Sequence, residues 1–275
     1  GPADIHDANR PRPGNDSHAR VVANLARARE ALGHDAVGAL TTITRLALDR
    51  PADVVDEYVR RGFTSIFLRP LSPYGFALRS AGRTGYSTRE FLDFYVRALD
   101  YLIAINTRGT FLVESYAQLL LTRMFTPFPT GYVDLQSPAG AGIGAVVFNY
   151  DGDIYASDES RMLAEMHDTR FRLGNVHRDD YAAIFGSETL RTITAASVIE
   201  SIPGCADCAF QPWCGADPVF HYATQGDVVP HIPTSAFHEK HFFLFQHLLH
   251  LYENDPRARR VFWSWIRNEP LAEAA

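Results

Sequence analysis

All three cysteines of this 275-residue chain, Cys205, Cys208 and Cys214, fall inside one run, Cys-Ala-Asp-Cys-Ala-Phe-Gln-Pro-Trp-Cys. A C-x2-C pair turns two thiolates around one tight bend, and a third a few residues on can close over the same centre. A soft metal or an iron–sulfur cluster satisfies that geometry, with a fourth ligand supplied from elsewhere in the chain. The bland alternative is a chance set of buried thiols, because free cysteine packs as a small apolar residue. A disulfide fits less well, since an odd count leaves one thiol over and no secretory segment precedes the cluster.

Composition narrows the partners. A hydrophobic share of 46% suffices for a sizeable core in one large domain or two ordinary ones. The formal charge is -6, with acidic and basic residues mixed, so no footprint for nucleic-acid phosphates is present. No apolar run approaches the roughly 18 residues of a membrane span, and no charged start leads into a signal segment. The expectation is a soluble cytoplasmic protein with neither nucleic-acid nor membrane partners.

Taken in order, residues 1–10 read as a loop kept irregular by Pro11 and Pro13. Residues 17–33 predict a helix with Asp16 or Ser17 as N-cap, Val22, Leu25 and Leu32 on one face, and Gly33 as stop. A buried strand follows at 37–43. Pro51 opens a second helix with Val54, Val55, Tyr58 and Val59 as its apolar stripe, and residues 64–69 form another strand. This alternation argues for parallel strands with ligand-binding loops at their carboxyl ends, where the 69–75 segment lies. Ser87 and Glu90 make a capping box for a helix running to Asn106. A helix over 111–125 carries Glu114, which reads as part of a solvated face. After Pro127 and Pro129 the chain turns glycine-rich, which sets a domain boundary near residue 131. Asp151-Gly152 between β-rich runs signals a hairpin. Short helices at 179–185 and 187–199 precede the cysteines, and a largely apolar helix follows them at 235–253.

The pieces Asp151-Gly152-Asp153-Ile154-Tyr155, Leu173-Gly174-Asn175-Val176 and C-x2-C-x5-C, in that order, resemble the C-terminal SPASM domain of radical S-adenosylmethionine enzymes. Residues 1–10 resemble the segment after the fourth strand of such barrels. Residues 64–77, 135–140, 157–166 and 222–227 resemble the His-Xaa-Ser system maturases, so the likeness extends to about Glu253. The fold this implies is α/β: the C-terminal part of a partial (β/α)6 barrel over 1–130, a small α+β SPASM-like cluster-binding domain over 131–255, and a tail over 256–275.

The resemblance further implies a parent enzyme that holds S-adenosylmethionine on a radical [4Fe–4S] cluster and abstracts hydrogen from a precursor peptide, with a companion maturase as a candidate partner. Arg10 matches the residue that pairs with the cofactor carboxylate, and Leu71 the backbone contact to its adenine. Two departures stand out. The radical cluster's C-x3-C-x2-C is absent, so the chain reads as a truncated gene product or as a protein that kept the back half, inactive alone. Ser157 and Pro218 stand where SPASM cysteines are usual, which leaves one auxiliary [4Fe–4S] cluster on Cys205, Cys208 and Cys214. His238 stands where its fourth ligand is expected, with His221 and His231 as rivals. The alternative is a non-catalytic Cys3His zinc or structural module.

Overall fold

Residues 1–272 are described by the computed structural model, apart from the side chains of Phe76 and Arg79. They form two compact units, one of Gly1–Leu71, Ser80–Thr122 and the chain from His247 onward, the other of Ser72–Arg79 and Arg123–Gln246. None of the described helices is long and apolar enough to cross a membrane.

The first unit opens with α1 (Ala3–Asn9), where the sequence pattern predicts a loop. A helix this short has no amphipathic signal of its own. It is held by tertiary contacts: Ile5 is buried, and Asp7 accepts a hydrogen bond from the His18 amide at 2.7 Å. That bond caps α2 (Ser17–Leu32) from outside the helix. Asp16, at the N-cap position, makes no capping bond because its carboxylate is taken by Arg12 and Arg20. The stripe predicted for α2 is only half-buried, with Leu32 exposed.

The strand expected at 37–43 shrinks to β1 (Thr41–Thr42): a 3-10 turn at His34–Ala36 comes just before the expected start, and residues 38–40 are exposed. Next come α3 (Pro51–Arg60), β2 (Ser65–Ile66), β3 (Leu68–Arg69), the short turns α4 (Phe76–Arg79), which belongs to the second unit, and α5 (Ala81–Thr84), and α6 (Thr88–Thr107), which has the expected Ser87–Glu90 capping box. Then follow β4 (Val113–Glu114) and α7 (Ser115–Phe125). β1 pairs with β3 and β2 with β4, both parallel, as the helix–strand alternation requires. The core is α6, whose Phe94, Tyr95, Ala98, Leu99 and Leu102 are wholly buried.

Glu114 overturns the expectation of a solvated helical carboxylate. It ends β4 and is fully buried. Its Oε1 accepts from the Leu68 amide at 3.0 Å, and its Oε2 from the Tyr95 hydroxyl and the Ala117 amide, each at 2.5 Å. One side chain thus serves the amide at which pairing changes from β2 to β3, and caps α7. Burial pushes its carboxyl pKa upward against those hydrogen bonds.

The second unit holds a three-stranded antiparallel sheet, β5 (Val147–Phe148), β6 (Asp153–Tyr155) and β7 (Arg172–Asn175), in that order, with α8 (Asp158–Ala164) between the last two. β5 and β6 are the predicted hairpin, and Gly152 at φ +84° supplies the left-handed turn residue. Helices α9 (Tyr181–Phe185), α10 (Glu188–Ala196), α11 (Pro218–Gln225) and α12 (Ala236–Asn254) complete it, α12 running on into the first unit's sequence at His247. Beyond it the segment read as a tail forms α13 (Pro256–Arg267), which buries Val261, Phe262 and Trp265 in the first unit.

Candidate metal centre

The cysteine run folds as consecutive tight turns. The Cys205 amide donates to Ile202 O at 3.0 Å, the Cys208 amide to Cys205 O at 3.0 Å, and the Cys214 amide to Phe210 O at 3.0 Å. Gly204 enters the run at φ +85°, a conformation open to glycine. Phe210, between the second and third cysteines, anchors the run on α12, its ring centroid 5.2 Å from Phe242 and 5.4 Å from Phe245. Arg123 Nε donates to Trp213 O at 2.9 Å and its charge favours the Cys214 thiolate.

Cys205 and Cys214 sit in a small apolar cluster with Ile199, Ile202, Ala216 and Ile232. Burial, and then the neighbouring thiols, push Cys205 up to about 11 and Cys214 up to about 12. Neighbouring thiols oppose the ionisation of Cys205 and Cys214. As free thiols, Cys205 and Cys214 are protonated at neutral pH, and a metal must displace those protons to bind. By chemistry the donor set suits a soft centre. Among the described residues, however, no three His, Cys, Asp or Glu side chains stand as an assembled metal-binding group.

The three histidines considered as fourth donor differ sharply. His231 is exposed, with Nδ1 2.9 Å from Thr234 Oγ1. His238 lies half-buried on α12 against the Phe242 ring, centroids 5.3 Å apart, so it reaches the cysteine run through Phe242 and Phe210. His221 is buried on α11, its pKa lowered by burial to about 4, and its Nδ1 has no hydrogen-bond partner. Sequence position alone singles out His238; the bare nitrogen belongs to His221.

The two residues matched to cofactor contacts lie in the first unit. Arg10 is exposed just past α1, its amide donating to His6 O at 2.9 Å. The Leu71 amide donates to the Tyr86 hydroxyl at 2.8 Å, and that hydroxyl donates to Ile43 O at 2.8 Å. Tyr86 thereby ties together the chain just beyond β3 and β1. This was invisible in sequence, where Tyr86 reads only as a residue before a helix cap.

No protein-family model matches the chain, and no curated protein does. Solved structures do. Native anSMEcpe with bound AdoMet aligns with a TM-score of 0.68 at 16% identity, covering 96% of this chain and 67% of that one. The same protein with AdoMet and the Kp18Cys peptide gives 0.67 at 15% identity with the same coverage. With the Cp18Cys peptide the values are 0.57 and 14%, over 82% of this chain and 57% of that one. The chain thus spans about two thirds of the length of the first two neighbours. At such identities the likeness is one of fold: this chain folds like part of anSMEcpe, an anaerobic sulfatase-maturating enzyme of the radical S-adenosylmethionine, SPASM-bearing kind.

Proposed function

We propose that this chain forms part of a radical S-adenosylmethionine peptide maturase of the His-Xaa-Ser system kind, with a precursor peptide as substrate. The observation that carries the reading is the fold shared over 96% of the chain with an enzyme solved with AdoMet and peptide bound. In such an enzyme the cofactor supplies the radical chemistry and the protein supplies positioning and exclusion of side reactions. On this reading Cys205, Cys208 and Cys214 hold one auxiliary [4Fe–4S] cluster, with His238 as its fourth donor. Arg10 offers a guanidinium to the cofactor carboxylate. At Leu71 the amide is already engaged by Tyr86, which leaves its carbonyl for the adenine.

Anoxic reconstitution with iron and sulfide tests the reading. The protein is expected to turn brown, to carry iron with acid-labile sulfide, and to lose both in Cys208→Ala, since a thiolate ligand is gone. His238→Ala is expected to keep most of the iron and shift the reduction potential. Colourless protein with stoichiometric zinc would transfer the site to the Cys3His structural reading. An unchanged potential in His238→Ala would pass the fourth position to His221 or a small molecule.

A further inference from the structure

Three stretches of the second unit converge on an open cleft of about 420 Å³: the chain entering β7, one face of α10, and the C-terminal end of α11. Helical spacing puts Glu188, Thr189, Thr192 and Ile193 on that face of α10, since side chains three and four residues apart are neighbours. The floor of the cleft is apolar and continuous with the core of the unit, in which Phe171 and Ile193 are buried and against which Tyr222 and Val228 pack. Its rim is charged, with Arg170, Glu188 and Asp227 exposed to solvent.

Arg170 is held in place on one wall. Its guanidinium lies over the Tyr222 ring, 4.7 Å from the centroid, a cation–π contact that leaves the N–H fork open to a ligand. Asp168 fixes both partners: it accepts from the Arg170 amide at 3.1 Å and from the Tyr222 hydroxyl at 2.7 Å. Phe171 supports the Tyr222 ring edge-on, centroids 5.3 Å apart. On the opposite side Asp227 accepts from the Val229 amide at 3.0 Å through one oxygen, which leaves the other for a ligand. Among the described residues, no ion pair engages Arg170, Glu188 or Asp227.

This charge pattern restricts the ligand. A plain anion meets two carboxylates, a plain cation meets a guanidinium, and no three His, Cys, Asp or Glu side chains among the described residues stand as a metal-binding group. A ligand that carries both charges close together answers all three side chains, and the apolar floor accepts an apolar body attached to it. The volume lies at the low end for small-molecule sites. We propose that the cleft binds a free α-amino acid with an apolar side chain. Arg170 takes the carboxylate through its planar fork, Glu188 and Asp227 take the ammonium, and the side chain lies on Phe171, Ile193 and Val228. A residue inside a peptide lacks both charges, which separates the free amino acid from a peptide. The site does not rest on the maturase reading.

The test is a calorimetric titration of the whole chain with L-phenylalanine, with phenylalaninamide, which lacks the carboxylate, and with N-acetylphenylalanine, which lacks the ammonium. Phenylalanine is expected to bind at least about tenfold more tightly than either derivative, the effect of one charge-assisted hydrogen bond. Arg170→Gln should abolish the preference over phenylalaninamide and spare the preference over N-acetylphenylalanine. Glu188→Gln with Asp227→Asn should do the reverse; these positions are exposed, and the asparagine keeps an oxygen for the Val229 amide, so the fold is retained. No heat at millimolar phenylalanine overturns the site, as does phenylalaninamide binding the wild type as tightly as phenylalanine, or wild-type affinity in both variants. N-acetylphenylalaninamide, which stands for a residue within a peptide, binding as tightly as phenylalanine overturns the free amino acid as the ligand.

Discussion

Glu114→Ala is expected to destabilise the first unit by on the order of 4 kcal/mol, the range seen when one partner of a buried polar network is removed. The substitution strips acceptors from three donors at once, the amides of Leu68 and Ala117 and the hydroxyl of Tyr95. Each buried donor left unpaired costs about 1–3 kcal/mol, and the cavity adds to that. Glu114→Gln separates acceptor loss from shape. A carboxamide keeps one oxygen, but its NH2 must face either the Leu68 amide or the Ala117 amide, so a loss of about 1–2 kcal/mol is expected. Denaturation followed by tryptophan fluorescence reads this, because Trp263 and Trp265 lie in the same unit. If Glu114→Ala unfolds at the wild-type midpoint, the carboxylate has no part in holding the strands.

The direction of the Glu114 shift makes a second readout available. Its pKa is raised, so the folded form binds protons that the unfolded chain has released, and the stability contributed by this group falls as pH rises above the usual carboxylate range. Glu114→Gln should remove that slope while Glu90, whose pKa is lowered by its bonds to Ser87, keeps the opposite one. Stability measured from pH 4 to 8 on both proteins distinguishes the two carboxylates.

These residues also show where sequence reasoning reaches and where it stops. The Ser87–Glu90 box, Pro51 at the start of α3 and the Asp151-Gly152 turn are legible because each is made within a few residues of chain. Glu114 is not: its donors Leu68 and Tyr95 lie 46 and 19 residues away, and nothing local distinguishes it from a solvated helix carboxylate. The same holds for α1, which is held by contacts across to α2. α13 is a different case. Asp255 as cap, Pro256 at the first position and Val261, Phe262 and Trp265 at helical spacing were all there to be read as a buried helix. Of the candidate centre, the cysteines announce themselves by spacing, whereas the bare His221 nitrogen exists only once separate stretches are packed together.

Gly215→Ala is expected to be the most damaging single methyl that can be added near the cysteines. The new Cβ would stand 2.4 Å from Asp134 O, 2.6 Å from Leu135 Cα and 2.8 Å from Leu135 C, all backbone atoms that no rotamer change can move. The residue that follows Cys214 must then back away from the 134–135 segment. Overpacking of this kind costs on the order of 3 kcal/mol when the neighbour cannot yield. Two consequences are measurable beyond a lower melting temperature. The turn holding Cys214 is displaced, so cluster uptake on reconstitution should fall by more than half, judged by iron per chain, as about 1 Å of ligand misplacement suffices to spoil a site. Asp217, which burial first and Asp134 second hold at about 7, is also drawn away from Asp134, so its pKa should fall. Gly144→Ala is the control, since its Cβ meets nothing nearer than Val133 Cγ1 at 3.4 Å, the end of a side chain that can shift slightly. Equal melting temperatures and equal iron uptake in the two variants would show that the close approach of Gly215 to Asp134 is not what positions the cysteine loop.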